Sequence, residues 1–540
     1  MKKYFRKGNA LLGFVNFGRN KEGQFGIHPV WGRVFVLLCG LAVAAWITVA
    51  LAAFLFLKHT RDIETGRFAD LLFFRWEEYR VAWGEDYIRR GKELIEDNEF
   101  AEGFHFLRVG VGRSPENIEG RLLLANLMLA QNRSDRGARL LMEGLPYGVE
   151  DTDYLTSTLR VLLLTEQDTE IRQIAEEYLP EEPVMEDRYI IIAFAAARAS
   201  FHRGDFDHAV QLINDYRLGA SNNGRILLAR IDWERGRRSE ALERLEEMAR
   251  QRPDSDEVYV YLTRYHHELG NVDAAERYAV IRQLNNPLGA TPRIDLLYIY
   301  HETGDTRRLE QEIDSLLREF RGDVETIHHL AQFALDIEDV GLARRILDHT
   351  QARNMDPSIP GIVLVHSLIQ TGQYEAGQEL AERLSQEVDH FEENFRPQLL
   401  AIAAIANYAA GDRANGDLNL NQFLSAGELR PSNYITYADK LVEIGYPDVA
   451  RRILAQAQRN NPRSQSLLTG LIRLDMARGD GPSIISNIRK LMDMRLPSPE
   501  VLTEAYLFLS SDRFLYSDER LEILEALEST LERHPLTTVG

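Results

Sequence analysis

The chain has 540 residues, of which 44% are apolar and 27% charged, a composition that excludes a disordered polymer, a collagen-like fibre and a disulfide-stapled miniprotein. Charge is segregated: eight Lys/Arg and one acid, Glu22, fall within the first 58 residues, so a segment of net +7 precedes a body of net −27 in a total of −20. An acidic body of this kind repels phosphate backbones, which argues against a nucleic-acid partner. The lone cysteine, Cys39, excludes intrachain disulfides and cysteine-built metal or cluster sites.

In chain order, residues 1–33 form a basic tail that mixes Lys2, Lys3, Arg6 and Lys7 with Phe5, Leu11, Leu12, Phe14 and Phe17. Such a segment either lies on anionic lipid or stays solvated. Residues 34–57, VFVLLCGLAVAAWITVALAAFLFL, carry no charge and as a helix extend about 36 Å, enough to cross a bilayer. A buried core helix and a signal peptide cut near Ala50-Leu51-Ala52 are the alternatives. The long preceding tail and the apolar Phe54 to Leu57 beyond the supposed cut favour an uncleaved anchor. The excess of bases before the span places the N-terminus in the cytoplasm and the acidic body across the membrane. In a diderm bacterium that means the inner membrane and the periplasm. Residues 58–84 concentrate Phe68, Leu71, Leu72, Phe73, Phe74, Trp76, Tyr79 and Trp83, an aromatic helix that either sits at the lipid interface or caps the first helical pair after it.

Beyond it the sequence repeats. Similar segments recur as FHRGDFDHA, WERGRRSEA, HELGNVDAA, HETGDTRRL, IQTGQYEAG, YAAGDRANG and MARGDGPSI, centred on Gly204, Gly236, Gly270, Gly304, Gly372, Gly411 and Gly479, with Gly445 in EIGYPDVA. Spacing extends the register to Asn98, Asn132, Glu166, Glu338 and Arg513, and nine of the twelve intervals are then 34 residues. Glycine, and less readily asparagine, takes up the left-handed backbone that ends a helix, so each centre predicts a reversal between two antiparallel helices. Small residues stand seven before the turn (Gly91, Ala125, Ala197, Ala229, Ala331) and five after it (Gly103, Ala209, Ala241, Ala275, Ala450), where two helices must approach closely. Pro115, Pro253, Pro287 and Pro462 each fall 17 residues after a turn and end the second helix.

This pattern resembles the tetratricopeptide repeat (TPR) family, whose 34-residue helix-turn-helix units stack into a superhelix. The resemblance spans residues 85–515, with residues 516–540 as a C-terminal capping helix and tail. It departs from the family where arginine (Arg121, Arg225, Arg293) replaces the large aromatic common early in the motif. The fold class is therefore all-α: a TPR-like solenoid preceded by one transmembrane helix.

No catalytic motif of the phosphate-loop, GxSxG, HExxH or paired CxxC type is present, so no enzyme activity, cofactor or metal is expected. His266, His267, His301, His328, His329 and His366 lack a tight i, i+4 pair and read as polar surface. The resemblance implies that the position six residues before each turn faces the concave side. Four successive units carry arginine there: Arg160, Arg198, Arg230 and Arg264. A row of guanidinium groups can grip carboxylates through paired hydrogen bonds. Asp153 and Glu257, each seven residues earlier, offer internal ion pairs instead. Phe194, Phe201, Ile226 and Trp233 occupy neighbouring concave positions, as groove surface or as packing between helices. The expected function is a single-pass membrane-anchored scaffold. It binds a protein or peptide ligand, acidic by complementarity, and membrane lipid through residues 34–57, in envelope assembly, secretion or export. The competing readings are a glycan-processing enzyme on a helical scaffold, and an adaptor whose repeats face the cytoplasm.

Overall fold

The computed structural model describes residues 8–10, 15–19, 25–61, 68–69, 76–131, 133–287, 289–320, 322–386, 396–426, 429–511 and 518–534. It divides into two units, Met1–Tyr154 and Leu155–Gly540.

The first unit opens on three short strands, Gly8–Ala10, Val15–Arg19 and Phe25–Pro29, paired as an antiparallel meander with Asn9 opposite Asn16 and Phe17 opposite Ile27. The strands replace the reading of the tail as a structureless, solvated segment. Val15 and Phe17 alternate with Asn16 and Gly18, the period of two that a strand requires, and the charge of the segment masked it. The helix Trp31–Arg61 comes next. Its stretch Trp31–Phe56 contains an 18-residue window with a mean hydropathy of 2.6 and is long and apolar enough to cross a membrane. Its large apolar side chains, Phe35, Val36 and Phe56 among them, are exposed.

Trp76–Glu96 is one continuous helix, so the aromatic segment does not end at residue 84 but runs on as the first helix of the first hairpin. Leu71, Leu72, Phe73 and Phe74 lie outside the described residues. Phe68 meets Phe54 edge-on at 5.8 Å. The partner helix Phe100–Arg113 returns after Asn98, whose φ is 66°. Four glycines let the two backbones touch. A methyl group on Gly110 would lie 2.9 Å from the carbonyl oxygen of Gly84, and one on Gly103 3.0 Å from that of Gly91. Ile118–Ala130 and Ser134–Met142 form the next pair. Its turn position, Asn132, is outside the described residues.

The second unit is a run of antiparallel helix pairs. Asp187–His202 turns at Gly204 into Phe206–Asp215, Asn222–Glu234 at Gly236 into Arg238–Gln251, and Asp256–Glu268 at Gly270 into Val272–Asn285. The pattern continues to Gln465–Arg478, which turns at Gly479 into Gly481–Met492. The turn glycines have φ between 69° and 89°. At Gly204 the helix closes as a Schellman motif: Gly204 N–H donates to the carbonyl of Phe201 and Asp205 N–H to that of Ser200. Glu166 and Glu338 adopt φ of 58° and 57°, and Glu338 with Asp339 makes the same two bonds to Leu335 and Ala334. Arg513 is outside the described residues. Side chains of Asp205, Asp305, Asp339, Ser464 and Asp480 accept from backbone N–H groups in the first turn of the second or first helices and fix where they start.

Ala197, Ala229, Ala331, Ala209, Ala241 and Ala275 are all fully buried at the helix crossings, and Leu262, Leu330 and Leu364 fill the seam beside them. Each such leucine contributes about 1.5–3 kcal/mol. The apolar cores run between units rather than around one centre. One extends from Ile294 to Leu474, another from Ile226 to Tyr265, and a third from Leu468 to Leu527. In the last of these, Ile523 and Leu527 of Asp518–Arg533 pack with Leu502, Ala505 and Leu509 of Pro499–Leu509, so the terminal helix completes one more hairpin.

Two features lie beyond the repeat pattern. Where arginine replaces the early aromatic, it reaches the end of the second helix. Arg121 donates to the carbonyls of Pro115 and Leu140, Arg225 to Gln251 Oε1 at 2.6 Å, and Arg293 to Glu312 and to Glu319 Oε2 at 2.6 Å. Arg121 and Arg293 are only 5% exposed. The second feature is that, within the second unit, the far end of the array returns to residues 163–206. Arg495 Nε donates to Asp168 Oδ2 at 2.6 Å and its terminal nitrogen to the carbonyl of Leu163. Leu496 N–H donates to the carbonyl of His202 at 2.7 Å, Arg203 donates to the carbonyl of Asp493 at 2.8 Å, and Arg463 pairs with Glu170. His534 stands edge-on to Phe206 at 5.5 Å.

Candidate functional site

The arginine row sits on the first helices of successive hairpins, one helical turn before each reversal. The helix Asp187–His202 places Arg198, and Asn222–Glu234 places Arg230, both half-buried; Asp256–Glu268 places Arg264, which is exposed. Arg160, on Thr152–Leu164, is exposed as well.

The structure organises these residues by stacking on aromatic rings. The Arg198 guanidinium lies 6.0 Å from the Phe194 ring; Arg230 lies 4.4 Å over Phe201 and 5.6 Å from Tyr261; Arg264 lies 5.3 Å from Tyr261 and 5.1 Å from Tyr265. A planar cation on a ring face keeps its edge N–H groups free to bond a carboxylate, while stacking holds it in place. Trp233 stacks parallel on Tyr265 at 3.8 Å, and its indole N–H donates to Glu268.

The expected internal ion pairs are not the ones formed. Arg264 pairs with Glu268 at 3.2 Å, one turn along. Among the described residues no ion pair joins Arg160 to Asp153, and none joins Arg198 or Arg230 to a carboxylate. Burial, and then the like charge of Arg230, pulls the Arg198 guanidinium below its ordinary value. Burial raises the Glu234 carboxyl against the opposing pull of Arg230 and Arg264.

The apolar positions divide. Phe201 is 8% exposed and offers its face to Arg230, and Phe194 is half-buried beneath Arg198. Ile226, at 3% exposure, and Trp233, at 8%, pack in the core with Ala229, Leu245 and Leu262. Both are therefore packing residues rather than groove surface, because the adjacent hairpin covers them. Sequence reasoning missed Tyr261 and Tyr265. They stand one helical turn apart on the helix that carries Arg264, and that spacing was the available signal. It also missed Arg495 and His202, which no local pattern marks.

The histidines are dispersed. His267 Nε2 bonds Glu302 at 2.5 Å, His301 lies edge-on to Phe333, and His366, 5% exposed, faces Tyr437. Burial, with nearby Lys440, pushes the His366 imidazole down to about 4. Among the described residues no three ligating side chains converge.

Paired helices at a 34-residue period, a left-handed turn residue in each, small residues at the crossings and cores shared between neighbours define a TPR-like helical-repeat solenoid. No family model and no curated protein matches the chain. Among solved structures it is similar to yeast Tom70, at 10% identity and a TM-score of 0.32, covering 84% of this chain and 96% of that one. It is similar to the Cut9 and Hcn1 assembly of the APC/C at 11% identity and a TM-score of 0.27, covering 84% and 96%. A tetratricopeptide repeat protein from Parabacteroides merdae shows 14% identity and a TM-score of 0.29, over 47% of this chain and 97% of that one. These values are low, and the fold class rests on the repeat geometry itself.

Proposed function

We propose that the chain is a membrane-anchored scaffold whose helical array binds an acidic, extended stretch of a protein partner along Arg198, Arg230 and Arg264. The observation that carries this reading is the state of Arg198 and Arg230. Both are half-buried and unpaired with any carboxylate among the described residues, with Arg230 stacked on Phe201 and Arg198 at the edge of cation–π reach of Phe194. Burying a cation without a counter-ion costs free energy that a bound carboxylate returns. Arg160, exposed on Thr152–Leu164, holds the same register position one hairpin earlier. The apolar helix Trp31–Phe56, with its side chains exposed, supports the anchor. The basic residues before it support a cytoplasmic N-terminus and an array on the opposite side, where it organises an envelope complex in assembly, secretion or export.

Crosslinking in the native membrane tests the groove. Changing Arg198, Arg230 and Arg264 together to Ala is expected to lower the yield of crosslinked partner about tenfold or more, the scale set by losing two or three charge-assisted hydrogen bonds. An unchanged yield and an unchanged set of partners would sink the groove. Reporters of sidedness fused after residue 540 test the topology separately: activity on the cytoplasmic side reverses it.

A further inference from the structure

The start and the end of the array in the second unit meet through polar groups and share little core. Arg495 holds Asp168, itself 2% exposed, through two of its nitrogens. A backbone bond from Leu496 to His202 and a bond from the Arg203 side chain to the carbonyl of Asp493 flank that contact. Among the described residues, the apolar cluster at the end of the array, Leu468 to Leu527, takes no side chain from the 163–206 stretch, and the apolar contact at the seam is that of Leu496 with Gly204 and of His534 with Phe206. Elsewhere one core crosses several hairpins, from Ile294 to Leu474. A junction of directional polar bonds can part without unpacking a core.

Closing this junction also crowds like charge. Arg495 comes within electrostatic range of Arg198 and of His202, where Arg230 already acts. Burial and the three guanidinium groups together push the His202 imidazole down to about 3. An anion held on Arg198 and Arg230 cancels part of that repulsion only while Arg495 is in place. By linkage, anion binding and closure then favour each other.

We propose that the seam around Arg495 and Asp168 is a clasp that parts to admit the acidic segment of the partner and closes upon it. The proposal rests on the groove reading above and adds how the ligand enters and what holds it. A cleft of about 710 Å³ at the seam, lined by Asp207, Arg235, Leu496 and Arg533, gives a place to measure it.

The test uses the full chain in detergent with Cys39→Ser, spin labels on Asp207→Cys and Arg533→Cys, and electron–electron distance measurements. Decaglutamate is expected to narrow the distribution and shift it toward short distances. Arg495→Ala is expected to broaden and lengthen it, and to weaken decaglutamate binding about tenfold. Asp168→Asn, which cuts the same contact from the other side, is expected to act alike. Arg198→Ala with Arg230→Ala is expected to remove the response to decaglutamate and, by relieving the repulsion on Arg495, to shift the distances of the free chain toward short values. Parent-like distances in both Arg495→Ala and Asp168→Asn, or decaglutamate binding with no change in distance, overturn the clasp. If decaglutamate fails to bind at all, the groove reading falls instead.

Discussion

Gly110→Val is expected to destabilise the hairpin formed by Trp76–Glu96 and Phe100–Arg113 by about 3 kcal/mol or more, at the upper end of overpacking penalties. The first added carbon meets Ile88 at 2.7 Å and the Gly84 carbonyl oxygen and Ile88 nitrogen at 2.9 Å. Two of those three atoms belong to backbone, so no rotamer change relieves the clash and the helices must separate. Separation then uncovers Leu107 and Val111, which are 0% and 3% exposed. The array unfolds in parts, so the measurement is hydrogen exchange in 76–113, where protection should fall while that of 290–320 stays constant. Gly112→Val is the control, since a methyl group there meets nothing within 4 Å. Equal protection in the two variants would mean that the helices are not in backbone contact.

Arg293→Ala is expected to cost about 2–3 kcal/mol, read as lost protection in Thr291–Glu302 and Thr306–Glu319. The side chain is 6% exposed and joins Glu312, 19% exposed, to Glu319, 57% exposed. Removing one partner of a buried pair strands the other, which costs about 3–5 kcal/mol when burial is complete. Glu319 reaches water, and that lowers the figure. Replacing Arg293 by Met and Glu312 by Leu together should recover most of the loss, because no buried charge then lacks a partner. A double variant as weak as Arg293→Ala would show that the arginine acts through packing alone.

These two sites mark how far the repeat was legible. Gly91 and Gly103 followed from the small-residue register, but Gly84 and Gly110, one heptad away from them, did not, since the register describes one crossing point per hairpin and this pair touches along its length. Glu166 and Glu338 were placed by spacing alone, with no residue preference in their favour. The chain takes the left-handed turn there regardless, because the helices on either side bury enough apolar surface to offset about 1–2 kcal/mol of backbone strain. Arg121, Arg225 and Arg293 looked like gaps in the motif. Sequence shows the missing aromatic but not the carbonyls and carboxylates that a long side chain finds at the end of the next helix.

The candidate groove was legible in part. The recurrence of arginine six residues before the turn identified Arg198, Arg230 and Arg264, since that position depends only on helical period. Whether an apolar neighbour lines a groove or fills a core depends on the crossing angle of the next hairpin, and so sequence leaves Ile226 and Trp233 open between the two. Arg495 was beyond reach for a different reason. Its contacts join residues more than 300 positions apart, a separation that no local or periodic pattern encodes.

That return contact changes how the second unit loses structure. An open stack frays from its two ends, since a terminal hairpin has a neighbour on one side only. Here each terminus is the other's neighbour, as though the row had periodic boundaries. Thermal melting must first break a link somewhere in the loop, so a truncation after Met492, which removes Arg495 and Leu496 with the last hairpin, would loosen the residues around Asp168 and His202 as much as those beside the cut.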